Sequence, residues 1–382
     1  MSREVDVLIR EFREIADHPA QAMRRFREET GQEAVGCFPV YTPEPIVHAA
    51  GMLPIGMWGA QVELAKVRAV LPSFACSIMQ SIMELQMTGV YDDLAAVIVP
   101  SLCDTLKDIG QKWNGKVPCL QFVHPQNRLL PAAATFLAGE YQHIRERLEA
   151  ITGKTITDEA IAESMEIYNA HNRVMREFSQ LAARHPDAVT PAARHAVMKS
   201  AFFVRKERHT AMVKELLEAL CQLPEPQFDG KRVVLTGIMA EPAEVLDILQ
   251  GQNFCVVADD LAQESRQYRV DYPGGDGAPL ERMAAAWQMM EGCSLACDPR
   301  KNRVNMLRRM VEENHADGLV VCMMKFCDPE EFDYPLIKAA MEKAGIPCLY
   351  LDIDQQLTSF EQTKTRVQVF AEMLNGAQHY TV

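Results

Sequence analysis

Residues 95–123 read AAVIVPSLCDTLKDIGQKWNGKVPCLQFV, and the fold class follows from how this stretch divides. Ala95–Pro100 (AAVIVP) and Val117–Val123 (VPCLQFV) are short apolar runs, rich in β-branched residues and closed by Pro or polar positions. Such runs are expected of buried strands. Between them, Thr105–Trp113 (TLKDIGQKW) is long enough for one short crossover helix. Strand, helix and strand at this spacing give the βαβ rhythm of a parallel sheet, which needs helices on its faces.

The same rhythm returns after Lys231. Arg232–Thr236 (RVVLT), Phe254–Ala258 (FCVVA), Gly318–Met323 (GLVVCM) and Pro347–Leu351 (PCLYL) read as strands. Helical segments are expected at Pro242–Gln250, Leu280–Glu291, Asn302–Asn314 and Tyr334–Ala344. From about 135 to 222 no strand-like run occurs, and amphipathic stretches dominate at Ile144–Ile151, Glu159–Leu181 and Ala192–Leu220. Thr155-x-x-Asp158 offers a helix start, and Pro191 suits a first helical turn. The opening 30 residues place Val5, Leu8, Ile9, Phe12 and Ile15 at helical spacing. The expectation is an α/β protein of two parallel-sheet, flavodoxin- or Rossmann-like domains joined by a helical segment. It divides as 1–134 (with the N-terminal helix), 135–225 (the helical insert) and 226–382.

Composition narrows the function. A chain of 382 residues, 48% hydrophobic and 24% charged, suits compact domains with a sizeable core. Its net charge of −13 disfavours a basic track for nucleic acid. The N-terminus lacks the pattern of a signal peptide, and the low-polarity stretch Ala49–Ala60 is too short for a bilayer. A cytoplasmic protein with no membrane partner is expected. In a reducing compartment eleven cysteines, an odd number and without a CxxC pair, read as free thiols or metal ligands rather than disulfides.

Three cysteines stand where ligands bind in open parallel sheets, beyond the carboxyl ends of strands. Cys103 follows Ala95–Pro100 by three residues, Cys327 follows Gly318–Met323 by four, and each is followed by Asp. Cys76, in Phe74-Ala-Cys-Ser-Ile-Met79, precedes a helix, where N–H groups and the helix dipole favour a thiolate. Three thiolates from separate loops could hold a [4Fe–4S] cluster by three irons and leave the fourth for another ligand. The competing reading is that each is a small buried residue. Burial accounts for Cys119, Cys255, Cys322 and Cys348 within strand-like runs, and Cys221 ends a helix. Cys37, Cys293 and Cys297 are possible further ligands, though a structural role suits them better.

Other chemistries lack their motifs. There is no GxxxxGK[ST] phosphate loop, no GxGxxG after a strand, no GxSxG elbow and no HExxH helix. The ten histidines show no ligand spacing; His48, in an apolar segment, suits a satisfied core position. Trp58, Trp113 and Trp287 are too scattered for a base-stacking platform. Arg205-Lys206-Glu207-Arg208 reads as a solvated helix face that could also meet a phosphate.

Several segments resemble the 2-hydroxyacyl-CoA dehydratase and benzoyl-CoA reductase family. They are Gly36-Cys-Phe-Pro-Val-Tyr-Thr-Pro-Glu-Pro-Ile-Val-His-Ala-Ala-Gly-Met-Leu-Pro54, Phe74–Gln80, Cys103-Asp-Thr105, Val257–Glu264, Cys322–Pro329 and Gly345–Gln355 followed by Thr365-Arg366. The pattern is most similar to the smaller, β-type subunits of its (R)-2-hydroxyisocaproyl-CoA and 2-hydroxyglutaryl-CoA enzymes. The resemblance implies a heterodimer with a homologous α subunit, and a [4Fe–4S] cluster in each chain. Here it is carried by Cys76, Cys103 and Cys327, which match the family's cluster positions, with a non-protein sulfur as fourth ligand. It also implies a separate ATP-dependent iron–sulfur activator that delivers one electron, in line with the missing phosphate loop.

The implied reaction is oxygen-sensitive radical loss of water from an (R)-2-hydroxyacyl-CoA to the (E)-2-enoyl-CoA. The C3 proton is too weakly acidic for direct removal. An added electron makes a ketyl that expels the 2-hydroxyl, acidifies C3 and is then returned. The acyl-CoA would sit mainly on the partner, with this chain relaying the electron; Tyr41 and Glu44 could line a site or be structural. Two rival readings are a subunit of an ATP-coupled benzoyl-CoA-type reductase, which consumes electrons every turnover, and a non-catalytic iron–sulfur electron-transfer partner. A two-domain protein with buried cysteines would bind no iron.

Overall fold

The computed structural model describes residues 3–296 and 298–378. The chain opens with helices α1 (Arg3–Asp17) and α2 (Pro19–Thr30), then strand β1 (Ala34–Cys37), α3 (Glu44–Ala49) and β2 (Leu53–Gly56). Next come α4 (Ser77–Met87), β3 (Ala96–Ser101), α5 (Asp104–Lys112) and β4 (Cys119–Val123). Four helices follow: α6 (Pro131–Thr152), α7 (Asp158–Arg184), α8 (Pro191–Ser200) and α9 (Lys206–Cys221). The second half runs β5 (Lys231–Gly237), α10 (Glu244–Gly251), β6 (Phe254–Leu261), α11 (Pro279–Met289) and α12 (Asn302–Glu313). It ends with β7 (Gly318–Met324), α13 (Asp328–Ala344), β8 (Cys348–Ile353) and α14 (Glu361–Gln378).

Both sheets are wholly parallel and share one strand order, β2-β1-β3-β4 and β6-β5-β7-β8. In each, the second strand lies outside the first and the third on its other side, the doubly wound order of flavodoxin-like sheets. The order therefore reverses beside β3 and β7, and the crevice at a strand's carboxyl end opens there. Side chains alternate accordingly. Val97 and Val99 join Val233, Leu235 and Val320 in one core shared by the two sheets. Ala96 and Ile98 face α6 and α11, while Val234, Leu319 and Val321 face α12 and α13. The α1 residues Val5, Ile9 and Phe12 pack on α7, α8 and α9 rather than on a sheet.

Three local features depart from the sequence expectation. Strands β1 (AVGC) and β2 (LPIG) add to the first sheet, although Gly36 and Pro54 weaken any strand signal. Pro54 is tolerated because β2 is an edge strand. Gly36 leaves room for Met57, whose Sδ would stand 2.4 Å from a Cβ there. The stretch Ala192–Leu220 is two helices, not one: the chain turns at 201–205, where the Phe202 carbonyl accepts the β2-edge N–H of Gly56 at 3.1 Å. Helix α13 begins six residues before the expected Tyr334 and carries Pro335 inside it. Among the described residues no helix is long and apolar enough to cross a membrane.

Candidate functional site

The three singled-out cysteines share one local structure. Cys76, Cys103 and Cys327 are the N-cap residues of α4, α5 and α13. Each cap carbonyl accepts the first helical hydrogen bond, from Gln80 at 3.1 Å, Lys107 at 3.1 Å and Glu331 at 2.9 Å. None of the three sulfurs makes a side-chain cap hydrogen bond, but first-turn N–H groups offset part of the effect of burial on each thiol: Met79 and Ile78 for Cys76, Leu106 and Thr105 for Cys103, and Glu330 for Cys327. A helix start presents unpaired N–H groups and the positive end of the dipole. Cys103 and Cys327 occupy equivalent places, each just past the third strand of its sheet.

The thiols also sense one another. Burial pushes the Cys76 thiol up to about 12, with a further push from Cys103. Burial raises Cys103 as well, and Asp104 and Asp328 add to it. Cys327 is raised too, by burial first and then by Glu330, Cys76 and Cys103. As free thiols these groups are protonated at neutral pH; a bound metal would deprotonate them and release protons. All three are partly buried against the shared core. Among the described residues no three His, Cys, Asp or Glu side chains gather as ligands of one ion. A four-iron cluster takes each thiolate on a different iron, so it calls for wider spacing than a single ion.

Two supports fix this arrangement, and sequence reasoning missed both. The first is a clamp between the halves. Ser77, next to Cys76, accepts the Gln355 backbone N–H at 3.1 Å and donates to Met324 Sδ at 3.1 Å. The Gln355 amide reaches Ser81 at 3.0 Å and the Trp58 carbonyl at 2.8 Å. The second lies behind Cys327. Glu330, 2% exposed, accepts from Ser294 at 2.7 Å and Arg303 at 2.8 Å, with Arg266 at 3.5 Å. Arg266 and Arg303 both reach Asp260, whose carboxyl is held far below the usual range against the opposing pull of burial. The signal that could have located the α13 cap is Cys327-Asp328-Pro329: an acid and a proline in the first turn mark a helix start.

Cys119, Cys255, Cys322 and Cys348 lie in strands, and Cys221 ends α9. Cys37 closes β1 with its thiol toward the Val35 carbonyl, and Cys293 is buried against Arg266 at 3.4 Å. Neither joins the three N-cap cysteines. Cys297 lies outside the described residues. His48 is buried and satisfied by Ser164 at 2.9 Å and Glu207 at 3.1 Å. The run Arg205–Arg208 is not simply a solvated face: Lys206 is 7% exposed and pairs with Glu44 at 3.3 Å, while Tyr168 donates to Glu44 at 3.0 Å. Tyr41 and Glu44 line a cavity that none of the three N-cap cysteines lines.

Paired parallel sheets with cysteine-capped helices at both reversal points define the class, and comparison with known proteins gives it a name. Residues 39–374 match the family model "2-hydroxyglutaryl-CoA dehydratase, D-component", and the chain belongs to that family. It is 50% identical to the lactoyl-CoA dehydratase subunit beta of Anaerotignum propionicum, over 98% of this chain and 100% of that one. It is 41% identical to the (R)-phenyllactyl-CoA dehydratase beta subunit of Clostridium sporogenes, over 97% and 99%. The (R)-2-hydroxyglutaryl-CoA dehydratase subunit beta of Acidaminococcus fermentans is 34% identical, over 97% and 100%.

Proposed function

We propose that this chain is the β subunit of a 2-hydroxyacyl-CoA dehydratase. It acts with a homologous α subunit, and Cys76, Cys103 and Cys327 bind a [4Fe–4S] cluster. The observation that supports the cluster is the placement of three thiols at the N-caps of three helices, near enough for Cys76 and Cys103 both to raise the Cys327 thiol. The donor set fits: thiolates are the ligands such clusters use, and hydrogen bonds to sulfur tune them. When bound, the cluster would supply a one-electron relay between a separate ATP-dependent iron–sulfur activator and the α subunit.

This chain's own residues hold and shield. The first-turn N–H groups and helix dipoles stabilise negative charge on the three sulfurs. The Ser77–Gln355 clamp keeps the α4 cap on the second sheet. The Arg303–Glu330 pair keeps the α13 cap in line. The overall reaction is loss of water from an (R)-2-hydroxyacyl-CoA to the (E)-2-enoyl-CoA, with the acyl-CoA held mainly by the α subunit and ATP hydrolysed by the activator. We assign no acid or base to this chain. Free cysteines suit a reducing cytoplasm, and the loaded protein is expected to be oxygen-sensitive.

The test is iron and acid-labile sulfide per chain after anaerobic co-expression with the α subunit, comparing the intact protein with Cys103→Ser. About four of each, as one cluster requires, should be present in this chain and lost from the variant. Intact complex, activator and ATP should then dehydrate a 2-hydroxyacyl-CoA with far less than one ATP per turnover. Reductant consumed in every turnover would instead indicate a reductase; the benzoyl-CoA reductase of Thauera aromatica supplies a more distant relative, 25% identical. No iron in the intact chain would end the cluster reading.

A further inference from the structure

A cavity of about 110 Å³ lies between the helical segment and the carboxyl ends of β1 and β6, and none of the three N-cap cysteines lines it. Its walls include Tyr41 from the loop after β1, Gln263 and Arg266 from the segment after β6, and Trp287 from α11. Several polar atoms on these walls have no protein partner. Gln263 is 1% exposed, yet neither its Oε1 nor its Nε2 is hydrogen-bonded. Trp287 Nε1 and Arg266 Nε are unmet as well. The Tyr41 hydroxyl is unmet too, with the Cys293 sulfur, a weak acceptor, nearby. Next to Tyr41 and Trp287, at ring-centroid distances of 6.3 and 5.4 Å, the His124 ring is 2% exposed and bonded through neither nitrogen.

Buried polar groups in folded proteins are almost always paired, and single exceptions occur. Several unmet groups around one cavity call for a guest. Its chemistry is constrained from three sides. The wall charges are already matched, Lys206 by Glu44 and Arg266 by Asp260 and Glu330, so a charged guest gains no counter-ion. An apolar guest would leave every one of these groups unmet. The indole, the guanidinium and the amide nitrogen are donors, whereas the Gln263 oxygen needs a donor, so the guest must both accept and donate. We propose that the cavity binds a small cluster of water molecules, roughly three or four at ~30 Å³ each. They bridge Gln263, Tyr41, Trp287 and Arg266 as a structural ligand of this chain. Because Arg266 also supports Glu330, the waters complete the bonding of a guanidinium that stands behind the α13 cap.

The proposal is independent of iron and of the cysteines. It is tested on the complex with the α subunit, in a high-resolution crystal structure and in a second crystal pressurised with xenon. Discrete oxygen peaks within hydrogen-bond distance of Gln263, Trp287 and Arg266, with no xenon in the cavity, are expected. Xenon in the cavity, or no density there, overturns the proposal, since dry apolar cavities take xenon and hydrated ones do not. Mass spectrometry of small molecules released on denaturation should find no stoichiometric organic compound from this site; finding one in the cavity overturns the assignment to water. Gln263→Leu gives a third reading. Removing a water-bonded amide lowers the thermal midpoint by roughly 2 °C, whereas in a dry cavity it removes two unmet atoms and raises the midpoint.

Discussion

His195 makes the stability of this protein depend on alkaline pH. The imidazole, on α8, is 6% exposed, with Nδ1 at 2.8 Å from Glu264 and Nε2 at 3.0 Å from Glu241. Burial alone would push it down, but the two carboxylates prevail and raise it to about 9. Both partners respond in the matching direction: burial pulls Glu241 and Glu264 up, and their cationic neighbours hold them below the ordinary carboxylate range. Between an unfolded value of about 6.5 and the folded value, the native state holds a proton that the unfolded chain has lost. Stability therefore falls as pH rises through this window, in full force below about 6.5 and gone above about 9. The shift corresponds to about 3 kcal/mol. The assay is urea unfolding of the intact chain and of His195→Gln at pH 6, 7.5 and 9.5. With a slope near 3 kcal/mol/M, the gap between their midpoints should narrow by about 1 M from pH 6 to 9.5. A gap that is constant or widens with pH would refute the assignment of a charged histidine here.

Other perturbations separate the supports from their surroundings. Arg303→Met removes the guanidinium from Asp260, Glu330 and Thr236. The stranded carboxylates should cost about 3–5 kcal/mol in urea unfolding, whereas Lys301→Ala, which breaks a half-exposed pair with Asp333, should cost less than about 1 kcal/mol. Gly237→Ala should give little soluble protein. Its φ is +141°, and a Cβ would stand 2.1 Å from the Cys322 carbonyl oxygen, which is fixed in β7 and cannot yield. Gln355→Leu strands the Trp58 carbonyl and should cost roughly 1–3 kcal/mol; iron bound per chain should fall with it, because α4 loses its Ser81 tie to the second sheet.

The parts of this fold that were legible are those whose signal is local. β3 and β5–β7 could be read because each is a run of β-branched and apolar residues buried at nearly every position, and β4 and β8 because they are short apolar runs that bury alternate positions. β1 and β2 could not, since Gly36 and Pro54 serve close packing and an edge position that only neighbouring strands define. The break between α8 and α9 was hidden for a similar reason: it is set by an N–H on β2, far away in the chain. The candidate site divides the same way. The three cysteines stood out because strand ends and helix starts are visible in sequence. The contact that joins their elements, from Ser77 to Gln355 across 278 residues, leaves no trace in either segment.

That long-range contact explains how one chain can assemble a site from two separate sheets. Each half brings a third strand to its reversal point and ends it in a cysteine that caps the next helix, so a single half presents Cys103 or Cys327 but not both. Cys76 comes from the first half but is tied to the second through Ser77, Met324 and Gln355. The set is therefore completed only when the sheets share their core, which they do through Val97, Val99, Leu235 and Val320. Loosening that core separates the thiols without touching any of them. A core variant such as Val320→Ala, whose truncation leaves a cavity between the sheets, should therefore lower bound iron per folded chain, whereas truncating Val5, which packs only in the α1, α7–α9 cluster, should lower stability and leave iron per folded chain unchanged. Equal iron loss from both would mean that the site depends on overall stability and not on the apposition of the two sheets.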